Sequence, residues 1–362
     1  MSLSRRALIG AGLALAACNR PVPSQAQDNG WRPDPRLLEN PPSLKSLVRF
    51  PVGVAVQAGS LDDPAYAALV GRQFSQLTPE WELKMEYTVL PDGRFRFDRA
   101  DRIAAFAQAR GQQLWGHTLV WYANIPDAFA NLDESRASFG QAFDNYITAA
   151  VGRYRGTASG WDVINEPITD AGGQLRDCLW SRKLGQVDYM RRALDVAHAA
   201  DPNVPLLIND YDLETKPEKL NAYLRLVDRL LKAGAPLGGL GCQTHISAGL
   251  PDGAMAATLG QLAQFGLPIH VSELDVSLVA GRGAPASRAV AEARQAQVYR
   301  SVVDAFMSLP ESQRLGLTIW GLRDSDSWLK REDASDAPLL FDGSGAAKPA
   351  FAAVAGALEG AR

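Results

Sequence analysis

Two glutamates in this sequence stand where a carboxylic acid needs a reason to be. Glu166 is the last residue but one of the stretch 161–167, Trp-Asp-Val-Ile-Asn-Glu-Pro, in which a short β-branched and aromatic run reads as a buried strand. Pro167 stops any regular ladder immediately after Asn165-Glu166. Taken alone, Asn-Glu-Pro is ordinary turn chemistry. The layout recurs in the stretch 268–274, Pro-Ile-His-Val-Ser-Glu-Leu, where a second strand-like segment ends on Glu273 and Asp275 follows. Two glutamates at the ends of two barrel-type strands are what glycosidic bond cleavage requires. One carboxyl protonates the leaving oxygen, and the other, ionised, attacks the anomeric carbon or activates water. Their environments must push the two pKa values apart. Asp275, with His245 at a neighbouring strand end, suits Glu273 to the anionic role and leaves Glu166, beside Asn165, as the acid/base.

Strand-like segments at 52–56, 74–78, 113–119, 160–165, 206–209, 240–244, 268–272 and 316–320 alternate with amphipathic stretches. The clearest of those stretches are 189–199, 220–232 and 289–307, with Gly234 a natural C′ residue after the second. This alternation predicts an α/β chain folded as one (β/α)8 TIM barrel. A doubly wound sheet is the alternative, but Val56-Gln57-Ala58-Gly59 lacks the glycine-rich phosphate turn. In a barrel the C-terminal strand ends share one rim. Here those ends carry Glu80 and Lys84, His117 and Trp121, and Asn165 and Glu166, followed by Asn209, Asp210 and Tyr211. Gln243 and His245, Glu273 and Asp275, and Trp320 and Trp328 complete the set. A lone His or Trp is usually packing. Amides, carboxylates and indoles on seven strand ends are the groups that bind sugars: indole faces stack on a pyranose while Asn, Gln, His and Lys bond its hydroxyls.

At 362 residues, with 46% hydrophobic and 21% charged residues, the chain has room for one large soluble domain. A net charge of -3 gives no case for nucleic acid or an anionic membrane surface. No Cys/His spacing suggests a metal site. Residues 1–26 read as an export signal: Arg5-Arg6 precede an apolar run too short to span a bilayer, a pattern resembling twin-arginine leaders. Leu15-Ala16-Ala17-Cys18 resembles a lipobox, which would anchor the protein to a membrane through Cys18, whereas Ser24-Gln25-Ala26 offers ordinary cleavage. The expected location is therefore periplasmic, membrane-anchored or secreted. Residues 27–43, polar and Pro-rich, read as a linker, and 44–362 as the catalytic domain, expected to be a monomer. Cys178 and Cys242 allow at most one disulfide.

With these residues in hand the chain resembles glycoside hydrolase family 10, the family of retaining endo-β-1,4-xylanases. The matching stretches are Gly116-His117-Thr118-Leu119-Val120-Trp121, 161–167, Asn209-Asp210-Tyr211, Gln243-Thr244-His245 and Ser272-Glu273-Leu274-Asp275. Trp320-Gly321, with Asp324, Ser327 and Trp328, is the last. The resemblance implies double displacement, with Glu166 as acid/base and Glu273 as nucleophile, supported by His245, Asp275 and Asn209. It implies sugar subsites built from Glu80, Lys84, His117, Trp121, Asn165, Tyr211, Gln243, Trp320 and Trp328. The implied partners are xylan and xylo-oligosaccharides, with no cofactor. Departures gather in one place: Trp81 stands where the family usually has Asn, Met85 for Trp, Tyr122 for His, Asn124 for Gln and Ala128 for Trp. These predict an intact catalytic sugar site beside an altered subsite, which Trp81 either blocks or furnishes with a stacking platform. Other readings remain. Another barrel β-glycanase would use the same glutamates, and a catalytically silent carbohydrate-binding lipoprotein would have lost one. A barrel metallohydrolase needs more clustered ligands than four histidines supply.

Overall fold

Nine strands, all paired in parallel, build the sheet of this computed structural model, which describes residues 32–132, 135–279 and 287–360. They are β1 (Val52–Val56), β2 (Gln76–Pro79), β3 (Gln113–Trp121), β4 (Ala158–Asn165) and β5 (Leu206–Asp210). Then come β6 (Gly239–Cys242), β7 (His245–Ser247), β8 (Ile269–Ser277) and β9 (Arg314–Ile319). The sheet closes through β6–β8 pairing, so eight strands form a barrel and β7 is a short extension along β8. The fold is the expected (β/α)8 barrel. The three helices read from periodicity appear as Asp188–Ala200, Pro217–Lys232 and Arg288–Met307. Pro217 opens the second at its first turn, and Gly234 follows its C-cap with φ +72°.

Some boundaries differ. β2 begins at Gln76 rather than at Phe74, because the Phe74 N–H closes the preceding helix on Val70 O. Ser75, in turn, accepts the Val52 N–H through its hydroxyl. β8 runs on to Ser277, so Glu273 and Asp275 lie within a strand and not at its end. The β7 ladder, His245 opposite Asp275, holds that extra length straight. His117 likewise lies in the middle of β3, which continues to Trp121. The linker expected over 27–43 is in part fold. Pro33–Arg362 is one compact unit, and the helical turn Arg36–Glu39 places Leu37 over Gly356 of the C-terminal helix. The stretch 1–26 expected to be an export signal, Cys18 included, lies outside the described residues. Cys178 and Cys242 are separate buried thiols.

β3 and β4 exchange bulk on both faces of the sheet. Gly116 of β3 lies opposite Trp161 of β4, and a Cβ there would collide with the indole. Gly160 makes the same room for Trp115. Both indoles are buried, and Trp115 Nε1 donates to Asp162 Oδ2 at 2.9 Å. Gly116→Ala is expected to lower stability by about 3 kcal/mol, the upper end for overpacking a filled core, read as a drop in melting temperature. A melting temperature within a degree of wild type would show that Trp161 yields freely.

Candidate active site

At the C-terminal strand ends the barrel opens into a cleft of ≈ 960 Å³. All the rim residues singled out above line it except Asn209 and Asp210, which are fully buried beneath its floor. The cleft therefore gathers carboxylates, amides, imidazoles and indoles from across the chain into one place.

Glu273 is 4% exposed. Asn209 Nδ2 donates to its Oε1 at 2.7 Å, and His245 Nε2 lies 3.3 Å from its Oε2. His245 Nδ1 is 2.9 Å from Asp275 Oδ2, which also accepts from Trp328 Nε1 at 2.9 Å. Burial alone would raise the Glu273 pKa, but the His117 and His245 charges and the His245 hydrogen bond override it, taking it from 4.5 to about 2. Burial would lower the His245 pKa, yet Asp275 and Glu273 hold it well above the usual imidazole value. The signs follow. Glu273, depressed on folding, stabilises the fold above about pH 4.5 and loses that contribution as pH falls toward 2. His245, raised on folding, stabilises it below about pH 6.5 and loses that contribution as pH climbs through the raised value. The melting-temperature difference between wild type and Glu273→Gln is thus expected to be widest between pH 4.5 and 6.5 and to narrow toward pH 2. A difference independent of pH would contradict the assignment of charge.

Glu166 directly follows β4 in a left-handed conformation, φ +56°. Its N–H donates to Asn209 O at 2.7 Å, and its carbonyl accepts from Arg176 Nε at 3.1 Å, which together hold the turn. Its carboxylate accepts from Trp121 Nε1 at 2.8 Å and from Asn165 Nδ2 and Gln243 Nε2, each at 3.2 Å. All three donors are neutral, whereas Glu273 faces imidazoles. The two carboxylates are also linked. Asn165 donates to Glu166 and accepts from Asn209 Nδ2 at 3.0 Å, while the same Asn209 amide donates to Glu273. Ser272 Oγ fixes the remaining end of Asn209 by donating to its Oδ1 at 2.7 Å.

Around this pair, Lys84 Nζ lies 4.7 Å from the Trp121 ring centroid, and the Trp320 ring packs edge-on against His117 at 5.1 Å. Tyr211 donates its hydroxyl to Asp170 and lies beneath Lys219 Nζ, whose main partner is the buried Asp210 at 2.9 Å. Several contributors were missed from sequence. Gln57 donates to Glu80 at 2.9 Å, Asp162 lies 2.9 Å from His117 Nδ1, and Arg176 braces the Glu166 turn. Asp162 was legible as a charged residue inside an apolar strand; Gln57 and Arg176 are loop residues with no local signal.

Among the departures, Trp81 and Asn124 line the cleft, Asn124 with φ +52°. Tyr122 stacks under Arg176 at 3.9 Å, Met85 is buried, and Ala128 packs on the core.

A closed parallel barrel with a sugar-type cleft and two unlike glutamates is the architecture of a barrel glycoside hydrolase. Comparison with protein families matches residues 44–357 to glycosyl hydrolase family 10. An exoglucanase of Acetivibrio thermocellus is 34% identical over 330 residues, covering 87% of this chain and 29% of the relative. Endo-1,4-β-xylanase 3 of Hypocrea jecorina is 34% identical over 317 residues, covering 87% of this chain and 84% of the relative. A solved structure of a Cellvibrio japonicus xylanase in complex with xylopentaose superposes with a TM-score of 0.83 at 31% identity, covering 89% of this chain and 70% of that one. The chain belongs to glycosyl hydrolase family 10. It spans about three tenths of the length of several curated relatives it matches.

Proposed function

We propose that this protein is a retaining endo-1,4-β-xylanase that cleaves internal bonds of xylan by double displacement. The observation that carries this reading is the asymmetry of the two carboxylates: Glu273 held anionic among His117, His245 and Asp275, and Glu166 held by neutral donors. In the first step a Glu273 oxygen attacks the anomeric carbon while Glu166 gives its proton to the departing glycosidic oxygen. The C–O bond breaks and a glycosyl ester forms on Glu273. In the second, Glu166 takes a proton from water, which attacks the same carbon and releases Glu273. Net retention of configuration follows from the two inversions. His245 and Asp275 orient Glu273, and Asn209 fixes it relative to Asn165.

In this reading Lys84, His117, Trp121, Asn165, Gln243, Trp320 and Trp328 hold the sugars flanking the scissile bond, Glu80 binds the next sugar out, and Tyr211 contacts the leaving-group side. The chain is exported under its leader at 1–26, either released or held by lipid on Cys18, and acts as a monomer. The test is the product profile of the leaderless protein on unbranched xylan beside cellulose, with the product anomer followed by proton NMR. Short β-configured xylo-oligosaccharides from xylan alone support the reading. Release from the glucan alone keeps the two-carboxylate chemistry and overturns the substrate. Release from neither favours a carbohydrate-binding role.

A further inference from the structure

Beyond Glu80 the cleft carries side chains that double displacement leaves idle. Trp81 lines the cleft and packs on Tyr87, ring centroids 4.6 Å apart and tilted by 58°. The Arg99 guanidinium lies 5.0 Å from the same indole, backing it with a cation–π contact. Tyr87 is 38% exposed, one of three large apolar side chains so exposed among the described residues. Arg331, at the end of the turn Trp328–Arg331, lines the same cleft, and its charge is felt at both Glu80 and Tyr87.

Arg331 differs from the arginine nearest to it along the chain. Arg323 is held by Asp63 at 2.9 Å and by Asp326 at 2.8 Å. Arg331 is exposed and enters no ion pair among the described residues. Two carboxylates at this end are engaged elsewhere: Glu80 accepts from Gln57, and buried Glu82 accepts the Ala58 N–H at 2.5 Å. Glu86, whose charge is also felt at Tyr87, is exposed and makes no ion pair with Arg331. A guanidinium presents a planar fork of donors that matches a carboxylate bidentately, which hydroxyls of a neutral sugar do not reproduce. Indole and phenol faces beside it suit the C–H face of a pyranose.

We propose that Trp81, Tyr87 and Arg331 form a distal subsite for a xylan chain bearing a uronic acid branch, the rings carrying the sugar and Arg331 pairing with the branch carboxylate. The proposal rests on the xylanase reading and deepens it. Of the two fates open to a Trp at position 81, obstruction and platform, it selects the platform.

The test compares kcat/KM on a uronic-acid-branched xylo-oligosaccharide with the same compound after reduction of its carboxyl to the alcohol, at low ionic strength. Shape is conserved and charge removed, so the ratio isolates the guanidinium–carboxylate contact. Wild type is expected to prefer the acid form by about tenfold, the scale of one charge-assisted hydrogen bond. Arg331→Gln is expected to bring the ratio close to one, and added salt to shrink it. Trp81→Ala is expected to lower kcat/KM on both forms alike. A wild-type ratio of one, or a ratio that survives Arg331→Gln, overturns the acidic subsite. A rate unchanged or raised by Trp81→Ala overturns the platform. If neither compound is cleaved, the xylanase reading falls, and calorimetric binding of the same pair still decides the subsite by the same ratio.

Discussion

Glu273→Ala is expected to abolish turnover of xylan, with kcat reduced on the order of 10⁵-fold, the scale seen when a covalent nucleophile is removed. The side chain is buried against Asn209 and His245, so truncation leaves a small space at the anomeric carbon rather than a collapsed cleft. Azide is an anion small enough to occupy that space. With an activated aryl xylobioside, azide should restore turnover and yield the α-configured glycosyl azide, because a single displacement now replaces two. His117 and His245 favour an anion there as they favour the native carboxylate. A β-configured azide would assign the nucleophile elsewhere, and residual activity within tenfold of wild type would remove Glu273 from the chemistry.

The second large effect separates the other carboxylate by leaving group. Glu166→Ala is expected to cost about 10²- to 10⁴-fold on xylan, the range for loss of a general acid. Dinitrophenyl xylobioside needs no proton on departure, so its first step should stay fast while hydrolysis of the glycosyl ester becomes slow. A burst of dinitrophenol should then appear. Azide should accelerate the slow phase and give the β-configured product, opposite to that of Glu273→Ala. An equal loss across leaving groups would show that Glu166 shapes the cleft without transferring a proton. Gln243 and Asn165, which now donate to Glu166, remain in place to hold the substrate in this variant.

The barrel and most of its rim were legible in the sequence because parallel strands buried on both faces read as short apolar runs. The polar residues that interrupt or end those runs then stand out, as Glu166 and Asp275 do. What escaped was whatever depends on neighbours remote in sequence. From sequence alone β8 ends before Glu273, since nothing local to 269–277 announces that 245–247 pairs alongside it. His117 lines the cleft as its sequence position suggests, but from the middle of β3, and its partner Asp162 belongs to the next strand. Asn209 reads as a support for Glu273; its single amide reaching both Asn165 and Glu273 depends on three strands meeting, which no local pattern encodes. Gln57 and Arg176 come from loops, where composition carries no positional signal.

The reciprocal packing of Gly116 with Trp161 and of Gly160 with Trp115 also bears on how this lineage can drift. Enlarging either glycine first drives a new methyl into an indole; shrinking either indole first opens a hole in a sealed interior. Each residue of a pair thus vetoes change in the other, and only concerted replacement passes. Because Asp162 holds Trp115 and His117 through one oxygen, that veto extends to the strand which presents the cleft. Descendants of this chain are therefore free to vary the loops outside the cleft long before they are free to vary β3 and β4.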